Sequence, residues 1–328
     1  ILIPVFNDWE SLNKLLAEVN ENIKFFNHIN FQCLIINDAS TTSLPELNKP
    51  SNFQSLEILN MRKNRGHARC NAFGIRYIFQ NKKFDNLILM DGDGEDRPEE
   101  IKNLLEKINE APNLSVVAKR IKRSEGPFFQ FLYQLHKLIT FLFTGHNVNF
   151  GNYSILTKSD VEKLHSKASL WSSFSGSVKK NLTNINEINS IRGLRYFGPS
   201  KMSLFKLIIH SFSIIAVFKY NVFLRSALML IVLAYLNSYL GNLTVFFQVL
   251  IVVFNLIIFI VSLREQKKDL NKIDELDEIF ADYFASVQSN EVIKIIEQIT
   301  GIEDLQYDKS LYAGGMSAMS FGDFLNPH

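Results

Sequence analysis

Four apolar residues, Leu87-Ile88-Leu89-Met90, run directly into Asp91-Gly92-Asp93-Gly94-Glu95-Asp96-Arg97-Pro98-Glu99, which places five acids among nine residues. A short buried strand that delivers carboxylates at its end suits a hard divalent cation. Mg2+ or Mn2+ prefers oxygen ligands, takes one or two carboxylates, and completes its shell with water and ligand phosphate. Asp91, Asp93 and Glu95 are therefore the candidate metal ligands, and Gly92 is expected to leave room for a diphosphate beside them. A calcium loop of the EF-hand type is excluded: it needs Gly at its sixth position and Glu at its twelfth, where Asp96 and Lys102 stand. The remaining alternative is a solvated acidic turn that caps the next helix.

The elements that must position these acids follow from hydrophobic periodicity. Short apolar runs at 1–6, 31–37, 56–61, 87–90 and 114–118 read as strands, and amphipathic stretches at 11–26, 68–80 and 98–110 as helices. Pro98 suits a first helical turn. Alternation of this kind predicts an α/β fold, in which polar residues gather just past strand ends, where open sheets bind ligands. The first strand is followed by Pro4-Val5-Phe6-Asn7-Asp8 without a glycine fingerprint, which excludes a dinucleotide-binding turn.

Four motifs occur in order at these strand ends: Ile3-Pro4-Val5-Phe6-Asn7-Asp8, then Ile35-Ile36-Asn37-Asp38-Ala39-Ser40, then Asn64-Arg65-Gly66-His67-Ala68-Arg69-Cys70-Asn71-Ala72-Phe73-Gly74, then Asp91/Asp93 with Pro98-Glu99. Over roughly the first 120 residues the chain resembles family 2 glycosyltransferases of the GT-A fold, a mixed sheet with flanking helices. The resemblance implies a nucleotide-sugar donor and Mg2+ or Mn2+ as cofactor. It implies that Asp38 accepts from the nucleobase in a pocket lined by Pro4, Phe6 and Asn7, with Arg65, Gly66 and Arg69 near the donor. Asp91 would contact the ribose or sugar side of the donor, and Asp93 would hold the metal against the diphosphate, with Glu95 as a further ligand. Asn37 and Ala39 depart from the family's Asp-Asp-Gly, which leaves the base open. Arg65 and Arg69 can also be read as ordinary surface charge.

The second half is more apolar. Stretches 128–143 and 204–218 read as helices that lie in a membrane interface or cover the sheet. Stretches 222–240 and 243–263 each approach the ~20 apolar residues that cross a bilayer. Lys219 and Arg225 flank the entry and Arg264, Lys267 and Lys268 the exit, while the turn between them carries neither Lys nor Arg. The positive-inside rule then predicts a hairpin with both ends cytoplasmic. The domains expected are a catalytic domain at 1–203, an interface helix at 204–221, the hairpin at 222–263 and a cytoplasmic tail at 264–328, with helical spacing at 273–284 and 292–299.

This arrangement is similar to the polyprenyl-phosphate branch, the relatives of dolichol-phosphate mannose synthase. There the catalytic domain ends in an arginine-bearing strand and a Gly-x-Ser-Lys element; here Arg192-Gly193-Leu194-Arg195-Tyr196-Phe197-Gly198-Pro199-Ser200-Lys201. The likeness implies that Arg192, Arg195, Ser200 and Lys201 hold an acceptor phosphate, with Asp91, Asp93, Arg195 and Lys201 as the catalytic set. Simple anchoring to anionic headgroups is the alternative. The branch often has Gly-Asp-Phe-Arg-Leu where this chain has Gly151-Asn152-Tyr153-Ser154-Ile155. A missing Asp fits a phosphate acceptor, already an anion and in no need of a general base. Asp160 remains as another carboxylate.

The formal charge of +2 argues against a nucleic-acid partner, which would demand a basic surplus. Two cysteines, Cys33 and Cys70, give no disulfide framework. The opening residues carry no basic leader, so no signal peptide is expected. The reading is an integral membrane, metal-dependent inverting glycosyltransferase acting on polyprenyl phosphate, with homo-oligomerisation left open. Transfer to a sugar hydroxyl of a glycan or lipid-linked sugar, and an inactive transferase-fold scaffold, are the alternatives.

Overall fold

The computed structural model describes residues 1–45, 47, 49–122, 127–198, 204–266, 294 and 298. Apart from residues 294 and 298, the helices and tail expected beyond 266 lie outside them, as do Ser200 and Lys201.

Seven strands, β1 (Leu2–Val5), β2 (Phe31–Asn37), β3 (Phe53–Asn60), β4 (Asn86–Leu89), β5 (Val116–Lys122), β6 (Phe150–Thr157) and β7 (Asn186–Ile191), form one sheet in the order β3-β2-β1-β4-β6-β5-β7. β1 pairs in parallel with β2 and β4, β2 with β3, and β5 with β7. β6 is antiparallel to both β4 and β5. This is the mixed α/β sheet expected. Its central strands are near-continuous apolar runs because both faces are covered, and successive side chains alternate between them.

Ile3, Val5, Ile35 and Ile88 face the helices α1 (Trp9–Ile23) and α3 (Ile101–Glu110). Leu2, Leu34, Ile36, Leu87 and Leu89 face α2 (His67–Asn81) and α6 (Phe174–Asn181). Gly74 on α2 is required at this contact, since a Cβ there would meet the Leu2 side chain at 2.4 Å.

Several bounds differ from the sequence expectation. The helix expected at 98–110 opens as a 3-10 turn at Pro98–Glu100 before α3 proper. β5 continues to Lys122 because its basic end pairs with β7, where Lys119 lies 3.2 Å from Glu187. β6 was not expected as a strand. Its Gly151, Asn152 and Ser154 weaken the local signal, and two neighbouring strands supply its hydrogen bonds. Asp160 lies in α5 (Lys158–Leu164), at the opposite end of β6 from the acid loop. It accepts from Ser115 Oγ at 2.6 Å and pairs with Lys163 at 2.8 Å, a buried structural role.

Past the sheet, α4 (Pro127–Thr144) and α7 (Leu204–Ala216) lead to α8 (Lys219–Leu240) and α9 (Asn242–Gln266). Lys219–Leu240 and Asn242–Leu263, 22 residues each, are long and apolar enough to cross a membrane. At 1.5 Å per residue each spans about 33 Å, against a hydrocarbon core of about 30 Å. Gly241, at φ 55°, makes the reversal between them. Aromatic and polar contacts tie this pair to the rest: the Phe254 ring lies tilted against Phe143 (centroids 4.3 Å apart) and edge-on to Phe212 (6.1 Å). Arg225 Nη1 donates to Leu142 O at 3.2 Å and Asn221 Nδ2 to Thr144 O at 3.1 Å.

Candidate active site

The carboxyl ends of β1, β2 and β4 lie side by side, because the three strands are parallel neighbours. β4 stops when Met90 gives way to Asp91, and the chain folds back on itself. Buried Asp96 accepts from the Asp91 backbone N–H at 2.8 Å, and the Glu95 N–H donates to Asp93 Oδ1 at 3.1 Å. Gly94 takes φ 88°, a conformation that disfavours a side chain.

Gly92 packs closely against β1. A Cβ there would meet Pro4 O at 3.1 Å and Ile3 Cγ2 at 3.3 Å, so its missing side chain accommodates β1.

The segment after β7 lies across these acids. Glu100, buried at the start of α3, fixes the end of β7 by accepting from Ser190 Oγ (2.6 Å) and from the Ile191 N–H (3.1 Å). The next residues then bond the acid loop through the backbone: Gly193 N–H to Glu95 O at 2.8 Å, and Tyr196 N–H to Asp93 O at 3.0 Å. A Cβ on Gly193 would meet Gly94 O at 2.6 Å, and one on Gly94 would meet the Tyr196 ring at 2.5 Å. Two glycines permit the close approach. Tyr196 is held by Glu18 on α1, with Lys14 4.5 Å above its ring.

Side chains complete the contact. Arg195 donates to Asp93 Oδ2 at 2.8 Å and pairs with Asp8, while Arg192 pairs with Glu95. The arginines chosen for an acceptor phosphate are therefore brought to the acids chosen for a metal. In this state each basic group neutralises an acidic one.

Burial and the nearby charges of Asp91 and Glu95 push the Asp93 carboxyl up to about 6, although the Glu95 N–H and Arg195 oppose the rise. Burial and the Asp91 charge push Asp96 up to about 8, against the pull of Arg120, whose Nη2 lies 3.6 Å away. Crowding of these carboxyls favours either a proton or a cation among them. Among the described residues no group of three or more His, Cys, Asp and Glu is placed to hold a metal ion.

On the other side of the cleft, Asp38 is buried at the end of β2. Its two oxygens accept from the backbone N–H groups of Arg65 (2.7 Å) and Gly66 (2.8 Å). Burial raises its pKa and these bonds lower it, burial being the stronger. Asp38 thus pins the loop that opens α2, and Gly66 (φ 87°) and Arg69 lie in that turn. Asn7, at φ 50°, clamps the neighbouring loop: its Oδ1 accepts from Thr41 N (2.7 Å) and Thr42 N (3.1 Å), and its N–H donates to Ser40 Oγ (2.9 Å). Ala39 sits at φ 55°, where the family's glycine is the natural residue. Phe6 stands between Asn7 and β1, half-buried.

Four groups at the cleft were absent from the sequence-derived site. Asp8 belongs to the first motif, and Asp96 was present only as one acid in a run. Asn152 marked a departure from the family pattern, and its Nδ2 donates to Asp91 Oδ1 at 2.9 Å. Arg120 carried no signal. Its guanidinium occupies the space beside Gly151, where a Cβ would meet Nη2 at 2.9 Å.

The family model described as glycosyl transferase family 2 matches residues 1–174. No curated protein matches significantly. Among solved structures, glucosyl-3-phosphoglycerate synthase from Mycobacterium tuberculosis, in complex with Mn2+, UDP and glucosyl-3-phosphoglycerate, is similar at 13% identity and TM-score 0.46. The match covers 67% of this chain and 78% of that one. Mannosyl-3-phosphoglycerate synthase from Rubrobacter xylanophilus is similar at 12% identity and TM-score 0.45, over 66% of this chain and 71% of that one.

Proposed function

Because this chain belongs to glycosyl transferase family 2, we propose that it moves a sugar, with inversion, from a nucleotide sugar to a polyprenyl phosphate at the cytoplasmic membrane face. The observation that carries this reading is the residue bonded to Asp91. An amide, Asn152, occupies that place, and an amide cannot take a proton from a hydroxyl. A phosphate acceptor is already ionised at neutral pH and requires no base. Two apolar helices following the catalytic unit supply the matching location.

In this mechanism the Asp38 and Asn7 loops seat the nucleoside, and Asp91 orients the sugar side. Asp93, with Asp91 and Glu95, would hold Mg2+ or Mn2+. That ion, when bound, neutralises charge developing on the departing nucleotide diphosphate. Arg195 and Arg192, which pair with Asp93 and Glu95, would supply donors for phosphate oxygens. Ser200 and Lys201 extend the same basic segment. Catalysis then rests on positioning and on charge stabilisation.

Membranes containing the protein, incubated with labelled nucleotide sugars and undecaprenyl phosphate, test the proposal. An organic-soluble, acid-labile sugar product is expected, and it should vanish in Asp91→Ala and Asp93→Ala. A polymeric product would replace the lipid phosphate by a hydroxyl acceptor. Absence of both transfer and donor hydrolysis would leave a scaffold. Cleavage of the Ser238 turn by protease only from the cytoplasmic side of sealed vesicles would overturn the orientation.

A further inference from the structure

Asp91 is held at two points, one on its backbone and one on its side chain. Its N–H donates to Asp96 Oδ2 at 2.8 Å, and its Oδ1 accepts from Asn152 Nδ2 at 2.9 Å. Sheet order brings these partners together. β4, β6 and β5 are consecutive strands, and β6 runs antiparallel to both, with Leu89 opposite Ser154 and Lys119 opposite Phe150. The start of β6 therefore lies beside the ends of β4 and β5. Three successive residues there serve the acid loop. Gly151 leaves room for the Arg120 guanidinium, Asn152 reaches Asp91, and the Tyr153 hydroxyl donates to Arg97 O at 2.8 Å.

Asp96 is the centre of this arrangement. It is only 3% exposed, so its carboxyl faces the protein rather than a ligand, and Arg120, also largely covered, lies 3.6 Å from its other oxygen. Tyr153, buried as well, fixes the carbonyl of the next residue, Arg97. The loop from Asp91 to Arg97 is thus closed on itself through Asp96 and fastened to β6 near both ends. Asp93 is held by a different system: Arg195, from the segment after β7, donates to its Oδ2 at 2.8 Å. The two acids are separately supported, and a change at Asp96 acts first on Asp91.

We propose that Asp96 is a positioning residue for Asp91, the group that fixes the backbone from which the donor-side carboxylate projects. The assignment rests on the reading that Asp91 orients the sugar side of the donor, and it extends that reading to the residue behind it. What Asp96 supplies is an acceptor oxygen for one N–H. A buried donor left without an acceptor is costly, so loss of that oxygen turns the Asp91 backbone toward another partner or water. A displacement of about 1 Å in a group that faces the reacting centre is enough to lose about a hundredfold in rate. Asn152 adds the second constraint, on the side chain. Two fixed points define the direction of a carboxylate, where one would leave it free to rotate.

The test compares Asp96→Asn with Asp96→Ala in the full chain in nanodiscs with Mn2+ and undecaprenyl phosphate. The donor is the UDP- or GDP-linked hexose that the wild type turns over fastest. Asparagine keeps an oxygen that can accept from the Asp91 N–H, and alanine does not. Asp96→Ala is expected to lower kcat/KM for the donor about thirtyfold, equivalent to about 2 kcal/mol at 1.36 kcal/mol per factor of ten. Asp96→Asn should stay within about fivefold of wild type. The KM for undecaprenyl phosphate should change by less than about twofold in both, because the basic segment is held by Asp93 and Glu95 instead. A general loosening of the fold would shift both substrates together. Amide hydrogen exchange gives a reading independent of turnover: peptides covering 87–97 should exchange faster in Asp96→Ala and as in wild type in Asp96→Asn. Should Asp96→Ala misfold, Tyr153→Phe keeps the ring, removes only the bond to Arg97 O, and should give the same split at about three- to fivefold. Equal losses in Asp96→Asn and Asp96→Ala would overturn the positioning role. A donor kcat/KM within about twofold of wild type in Asp96→Ala, or an acceptor KM that rises in step with the donor's, would overturn it too. Asp91→Asn separates the parent reading. Normal donor kcat/KM in that variant, or a wild type that turns over no such hexose, sinks the assignment of Asp91 and the positioning role together. Loss in Asp91→Asn with an unaffected Asp96→Ala sinks only the positioning role.

Discussion

Asp93→Asn should make the metal-free protein more stable while abolishing transfer. In the folded chain the Asp93 carboxyl titrates at about 6, against an ordinary value of 3.8, because it is buried among Asp91 and Glu95. At 1.36 kcal/mol per factor of ten, ionising it in place costs about 3 kcal/mol at neutral pH. The sign follows from proton counts: between pH 3.8 and 6 the folded chain holds a proton that the unfolded chain has released. Stability therefore falls as pH rises through that window and stays low above it. Asparagine removes the charge but keeps an oxygen that can accept from Arg195, now 2.8 Å from Asp93 Oδ2. Thermal unfolding of the detergent-solubilised protein in EDTA at pH 7.5 should rise by about 6–12 °C in the variant, at 2–4 °C per kcal/mol for a unit of this size. The gain should shrink toward zero at pH 4, and Mn2+ should stabilise wild type but not the variant. A variant no more stable than wild type at pH 7.5, or one that responds equally to Mn2+, would refute the claim that these acids are held together at an electrostatic cost.

Other residues give further tests. Ala39→Gly should stabilise the protein by about 1 kcal/mol or less, since φ 55° disfavours a Cβ but glycine also loosens the unfolded chain; denaturant unfolding will read this. Gly193→Ala forces a methyl to within 2.6 Å of Gly94 O. It should lower stability by about 1–3 kcal/mol and cut transfer more than tenfold, because the basic segment can no longer lie on the acid loop. Asp38→Ala removes the acceptor for two backbone N–H groups. A loss of about 2–4 kcal/mol and a raised donor KM are expected, and an unaltered KM would separate this residue from nucleoside binding.

The elements and the nature of their ends are legible in the order of the amino acids. The continuous apolar run Leu34-Ile35-Ile36 reads as a strand covered on both faces, and Met90-Asp91 as a strand that stops in acids. These are local signals, set by a period of two and by the contrast between burial and charge. Motif order was equally legible, and the mixed sheet and family membership agree with it. Tertiary structure alone decided how the candidate residues face one another. Arg195 and Asp93 are 102 positions apart, and nothing in either neighbourhood announces that one will cap the other. Gly92 could be recognised as special, but not that β1 packs closely against it. Asn152 on Asp91 and Glu100 beneath β7 likewise depend on strands and helices brought together from distant parts of the chain. Local chemistry names the groups, and only the packing of distant segments fixes their partners, because a side chain's charge is written in one residue and its environment in many.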